Sequence, residues 1–321
     1  MELIIFTMKN LKKVSKKVLT KQVDETCIRQ ENLFIDKIAL KCYLRITKNY
    51  IYQDYIMHLP SEIIKLYSLM GSTKVYQPFF KTFILAIFAG AFIALGALGS
   101  QIISCAVVPV AFGRALSGII FPIGLSMVII AGGELFTGNC LLFIPVLDHQ
   151  ISMFDFFKNL FIVYIGNLVG SLLIAFLANY GHVLSLYEGE LVRNAVNTAS
   201  VKANIPFIDG FIKGILCNIL VCIAVWASQA AEELSGRIIA LFLPIFLFIV
   251  CGFEHSVANM YFIPCGMIAQ FVYGWPGHIT VLGMLWNLLS VTLGNLVGGS
   301  ILVGGGYYLA YMRAMRGYED D

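Results

Sequence analysis

Long apolar runs, and the few residues that interrupt them, organise this chain. Residues 82–113, 159–187 and 214–231 contain no Asp, Glu, Lys or Arg. About 20 apolar residues rising 1.5 Å each cross the hydrocarbon of a bilayer, so each run predicts one spanning helix. Two further runs are broken by a lone acid. Residues 115–133 lead to Glu134 and continue apolar over 135–147, while residues 238–253 lead to Glu254. Residues 255–312 again carry no charge and are too long for one helix. They divide at Tyr273, Gly274, Trp275, Pro276 and Gly277 into a short half and a full span. The pattern predicts an all-α polytopic membrane protein with six crossings, the second and fifth broken.

Ahead of the first run, Pro60, Ser61 and Glu62 open an amphipathic stretch. Ile63, Leu66, Tyr67 and Met70 recur at helical spacing, with Glu62, Lys65, Ser68 and Lys74 as its polar positions. Such a helix is expected to lie along the membrane interface. Residues 1–57 differ from the rest and hold eleven Lys/Arg residues, including Lys9, Lys12, Lys13, Lys16, Lys17 and Lys21. They lack the apolar core and cleavage site of a signal peptide. They form either a basic cytosolic arm or sequence upstream of a true start at Met57. The expected division is therefore arm 1–57, interfacial helix 58–81, first three-helix repeat 82–187, extracellular loop 188–203, second repeat 204–312 and tail 313–321.

Loop charges orient the spans. The region up to Lys81 carries fourteen Lys/Arg residues, and Lys158, Arg237, Arg313 and Arg316 fall on the same side. The other side has Arg114, Arg193 and Lys202. Both termini are thus expected in the cytosol, with the spans in the plasma or inner membrane.

Composition narrows the function. The chain of 321 residues is 59% hydrophobic and 13% charged, against roughly 25% charged in soluble domains. A disordered chain is excluded, and a net charge of +3 does not make a nucleic-acid module. Eight cysteines include no CxxC pair and no Cys/His zinc spacing, so they read as packing residues, with no metal or cofactor expected. Neither HExxH nor GxSxG occurs, which argues against an enzyme.

The two halves echo each other. Gly166-Asn167-Leu168-Val169-Gly170 matches Gly294-Asn295-Leu296-Val297-Gly298, and Glu134-Leu135-Phe136-Thr137-Gly138-Asn139 breaks the second span where Glu254-His255-Ser256-Val257-Ala258-Asn259 breaks the fifth. Three spans per half is odd, so the halves run in opposite senses; paired breaks in inverted repeats point to a midplane solute site. The plainer reading of the Gly-Asn motif is small-residue packing, which leaves the paired breaks unexplained.

Unwound backbone in a membrane is tolerated where protein or a watery cavity surrounds it. Each break frees N–H groups at the start of a half-helix, where the partial positive charge attracts anions. Thr137 and Ser256 add hydroxyl donors. His255 is the histidine deepest in a span; burial favours its neutral form and an arriving anion the charged one, which suits proton donation. Glu134 and Glu254 are costly in lipid and are expected to cap freed N–H groups or bind neighbouring polar groups.

These segments resemble the formate/nitrite transporters. The resemblance rests on residues 134–139, on the nine residues from Gly252 to Met260 (GFEHSVANM), on Asn218 with Val221 and Cys222, and on Gly294 with Asn295, within about 60–316. It implies an aquaporin-like fold, a homopentamer with one pore per protomer, and passage of small monovalent anions with protons. By the same resemblance His255 is the central pore histidine, Asn218 its partner, Thr137 the polar residue of a mobile loop, and Asn295 a wall of the same chamber. Lys202 matches a lysine that draws anions into the outer vestibule. Phe121, Leu125, Leu135, Val221 and Phe248 resemble two apolar constrictions, and Glu134 departs from the family's usual aspartate-like acid. Formate is the first expectation, with nitrite, hydrosulfide, acetate and lactate open. The rivals are a water or glycerol pore, whose twin Asn-Pro-Ala breaks are missing here, and a membrane scaffold without flux.

Overall fold

The computed structural model describes residues 57–313, so the basic arm up to residue 56 and Arg316 lie outside the described residues. The first helix, α1, spans Pro60–Val75. Pro60 occupies its first turn, where a missing N–H costs nothing, and the Glu62 carboxylate accepts from the Leu59 N–H at 2.9 Å. Its packed face is Ile63, Ile64, Ser68 and Gly71, while Leu66 and Met70 are exposed. This face is rotated from the one read in the sequence. The cause is polar: the Ser68 hydroxyl donates to Asp148, and Gly71 lies where any side chain would strike Pro145. Tyr67 stacks on Trp226 at 5.6 Å, and Trp226 on Tyr307 at 4.2 Å. The helix is fastened to the bundle rather than resting beside it.

The chain continues through α2 (Phe79–Ser104), α3 (Val110–Ala131), α4 (Phe136–Leu147) and α5 (Met153–Tyr180). Next come α6 (Glu190–Ala203), α7 (Phe207–Ala230), α8 (Leu234–Cys251), α9 (Ser256–Val272) and α10 (Val281–Met312). Six of these, α2, α3, α5, α7, α8 and α10, are long and apolar enough to cross a membrane. α2 begins three residues before the expected start of the first repeat at Thr82, and α5 ends at Tyr180, short of residue 187. The segment expected as a loop at 188–203 is mostly the helix α6. Leu191, Val192, Ala195, Val196, Ala199 and Ala203 recur at helical spacing on it and are buried. Helical order also changes within α10, where the glycine-rich stretch Val297–Gly305 winds as a π-helix and Ser300 donates to the Cys140 carbonyl at 3.1 Å.

Between α3 and α4 the helix stops at Gly132, in the left-handed region at φ 76°, and restarts at Phe136. Between α8 and α9 it stops at Gly252, at φ 69°, and restarts at Ser256. Left-handed backbone favours glycine. Both Gly-Asn motifs sit at tight helix crossings. A side chain at Gly170 would strike the Ile87 carbonyl of α2, and one at Gly298 the Ile215 carbonyl of α7. Glycine thus brings α5 against α2, and α10 against α7, closely enough for side chains to reach the opposite backbone.

Replacing Gly170 by Val forces these backbones apart, and overpacking of this kind costs about 1–3 kcal/mol. In fluorescence-detected gel filtration after heating, Gly170→Val is expected to lose its folded peak at clearly lower temperature than wild type. Val169→Ala, at an exposed neighbour, should melt with the wild type.

Candidate functional site

The two breaks are held by the same set of hydrogen bonds. At the first, Asn167 of α5 accepts through Oδ1 from the Phe136 N–H at 2.9 Å. Its Nδ2 donates to the carbonyls of Ala86 at 2.7 Å and Glu134 at 2.9 Å. At the second, Asn295 of α10 accepts from the Ser256 N–H at 2.9 Å and donates to the carbonyls of Gly214 at 2.8 Å and Glu254 at 3.0 Å. The break backbones add Glu134 N–H to Leu85 carbonyl at 3.2 Å and Glu254 N–H to Lys213 carbonyl at 3.3 Å. An amide suits this task because it donates and accepts at once. Asn295, which the resemblance places in the wall of the chamber, thus directs its side-chain hydrogen bonds to backbone.

The two acids do not cap the half-helices; they take the other role foreseen for them. Glu134 accepts from Lys74 Nζ at 3.2 Å and from Asn139 Nδ2 at 2.7 Å, and Asn139 also donates to Asn159 at 3.0 Å. Glu254 accepts from Lys202 Nζ at 3.0 and 2.9 Å and from Asn259 Nδ2 at 2.7 Å, and Asn259 donates to Asn287 at 2.8 Å. Paired and hydrogen-bonded, a buried carboxylate is tolerable. Lys74, Asn139, Asn159, Asn259 and Asn287 were missed by the sequence reading. The signal was present: in both breaks an asparagine follows the glutamate by five residues.

Between the breaks lies His255, buried at the start of α9. Its Nδ1 accepts from the Ala258 N–H at 3.0 Å, so the neutral ring carries its hydrogen on Nε2, assigned from the partner. Nε2 is 2.9 Å from the Thr137 hydroxyl, in the buried first turn of α4. Asn218 does not partner His255. It donates to the carbonyls of Thr137 at 3.3 Å and Asn295 at 2.7 Å, and the Cys222 thiol also donates to the Thr137 carbonyl at 3.3 Å. The hydroxyl of Ser256 is buried with no hydrogen-bond partner, as is Oδ1 of Asn218.

Two cavities approach this pair. One, about 580 Å³, is lined by Lys202, Glu254, His255, Phe121 and Phe248 among others. The other, about 300 Å³, is lined by Lys74, Glu134, Leu125 and Leu135. No residue lines both. Three membrane-length helices separate Lys74 from Lys202 along the chain, so the cavities open on opposite faces. Phe121 meets Phe248 edge-on at 5.4 Å, and Phe248 stacks on His255 at 6.1 Å. Of the residues expected at the constrictions, Phe121 and Phe248 line the first cavity and Leu125 and Leu135 the second. Val221 is buried but lines neither cavity.

Two cavities approaching a buried histidine, within a body of six membrane-length helices, fit a membrane transport protein. A sequence model described as formate/nitrite transporter matches residues 61–309. The chain is 33% identical over 270 residues to the formate channel FocA of Escherichia coli strain K12, covering 79% of this chain and 95% of that one. It is 33% identical over 252 residues to the formate-nitrite transporter of Entamoeba histolytica, covering 76% and 68%. Among solved structures, an FNT family ion channel matches with TM-score 0.70 at 31% identity, over 78% of this chain and 98% of that one. A pentameric formate channel with formate bound matches with TM-score 0.65 at 32% identity, over 73% and 98%. The chain belongs to the formate/nitrite transporter family.

The Lys202–Glu254 pair makes a direct test of the site's electrostatics. Lys202→Met leaves a buried carboxylate unpaired, which costs about 3–5 kcal/mol, so the detergent-solubilised protein should melt far below wild type. Adding Glu254→Gln removes the stranded charge and should restore most of the loss. A double variant no more stable than Lys202→Met would mean the lysine acts otherwise.

Proposed function

We propose that this protein moves small monovalent anions, formate foremost, together with protons, as a homopentamer with one pore per protomer. The observation that carries the reading is the Thr137–His255 contact, buried between two cavities and walled by Phe121, Phe248, Leu125 and Leu135. A bare charge crossing those rings costs several kcal/mol, whereas a neutral acid does not carry that penalty. A proton from the outer water is handed to the anion in the Lys202-side cavity, and this removes the charge before the barrier. It is handed over either by water beside His255 or by His255 itself, after the ring has taken up that proton and before it returns to its neutral form. The ring Nε2–H, the Thr137 hydroxyl and the unspent Ser256 hydroxyl then offer hydrogen bonds to the acid's oxygens as it passes.

Formate leads because two matched relatives are named formate channels, and the pentamer follows the matched pentameric structure. Nitrite, hydrosulfide, acetate and lactate use the same chemistry, since a methyl-sized difference in a pocket changes binding by only about 1–3 kcal/mol. The loop charges support a plasma or inner membrane setting, with the termini and the Lys74-side cavity facing the cytosol and the Lys202-side cavity facing out.

Proteoliposomes with an imposed pH gradient test this, offering formate, nitrite and hydrosulfide in turn with glycerol as neutral control. Anion uptake is expected to rise as external pH falls, because more of the anion meets a proton, and glycerol should stay silent. His255→Asn should lose most of that pH dependence while still assembling. Glycerol flux without an anion response, or an unchanged pH dependence in the variant, overturns the mechanism.

A further inference from the structure

The cations that gather anions at the Lys202-side cavity are a separate question from the barrier. The resemblance gives that role to Lys202. Yet its Nζ is held between both oxygens of Glu254, and its side chain is only 15% exposed. To an ion a few ångströms away, such a pair is a dipole rather than a charge. Two other cations, Arg114 and Lys213, line the same cavity, and Glu254 is the one carboxylate among its lining residues. With Lys202 and Glu254 cancelled, two positive charges remain.

We propose that Arg114 and Lys213 form the anion-gathering pair of this cavity and set the apparent affinity for the transported anion. The proposal rests on the transport reading above. Neither residue belongs to an ion pair among the described residues. Both are exposed in the single protomer, and both line this cavity. Both are also tied to the break that carries His255. A methyl group at Gly252 would lie 3.2 Å from the Arg114 guanidinium, so that group sits directly over the left-handed turn. The Lys213 carbonyl takes the Glu254 N–H, one residue before His255.

Placement therefore puts two unpaired cations at the mouth and His255 at the floor of one cavity. Phe121, Phe248, Phe253 and Phe262 line the same cavity. Low-dielectric walls of this kind focus the field of charges at a mouth and raise the local concentration of the opposite ion. Solvated cations do this without trapping it, because hydration limits the attraction to about 1 kcal/mol at 4 Å. The cavity on the other face is weaker in the same respect. There Lys74 pairs with Glu134, and Arg237 remains, its Nε donating to the Ala231 carbonyl at 3.1 Å.

The test is the initial rate of formate uptake into proteoliposomes, measured at two ionic strengths set with potassium gluconate. At about 0.01 M the screening length is ~30 Å, and at about 1 M it is ~3 Å. At low ionic strength Arg114→Gln and Lys213→Gln are each expected to raise KM about three- to tenfold with Vmax unchanged. The double variant should raise it further, and at high ionic strength all should converge on wild type. The charge-keeping variant Arg114→Lys with Lys213→Arg should stay near wild type at both. A double Gln variant with wild-type KM at low ionic strength overturns the proposal. So does a KM rise that survives high salt or appears equally in the charge-keeping variant, since that reports packing. If the wild-type protein takes up no formate, nitrite or hydrosulfide, the transport reading falls and this proposal with it, a result told apart by the wild type alone.

Discussion

Everything in this protein hangs on two asparagine side chains. A helix broken inside a membrane exposes N–H and C=O groups where no water is at hand to take them, and each unmet group costs several kcal/mol. Asn167 and Asn295 meet that demand from neighbouring helices, accepting from the first N–H of each half-helix and donating to two carbonyls. Remove either, and the Glu–half-helix junction has no reason to stay open. The glycines beside them serve the same end, because an asparagine reaches a foreign backbone only if the helices nearly touch.

Once the breaks are stable, the acids can be buried. Glu134 and Glu254 each sit among a lysine and an asparagine, with a second asparagine orienting the first. Such a cluster buries a carboxylate together with its counter-charge, so it presents little net field to its surroundings. The half-helices that follow the two acids are left free of Asp, Glu, Lys and Arg, and His255 is buried where they begin, beside Thr137.

Much of this was legible in the sequence, and the limits are instructive. The apolar runs and lone acids located the spans and both interruptions, because period and charge are local properties. Thr137 and His255, singled out beside the two breaks, do lie together. What failed was partnership. Asn218 was paired with His255, although the ring's contact is Thr137, and nothing in spacing tells which of two nearby polar side chains turns toward a third. Lys74 looked like a solvated residue of an amphipathic helix, and its partner stands 60 residues away. Ser68 faces inward because Asp148, 80 residues on, waits for it. The helix α6 was read as a loop because its polar residues, Glu190, Arg193, Asn194 and Asn197 among them, hid the apolar face between them. Long-range polar contacts carry no periodicity, so they appear only when the chain is folded.

The origin of the caps has a consequence in time as well as space. Phe136 finds its acceptor 31 residues later, and Ser256 finds its own 39 residues later. As the chain emerges from the ribosome and threads into the bilayer, each interrupted span must wait, unsatisfied, until the next crossing arrives. The smallest piece that can settle in lipid is then three crossings taken together, the third closing what the second left open. Biosynthesis of this protein is in effect the assembly of two such triplets, and a ribosome stalled between second and third crossing would leave its most exposed intermediate.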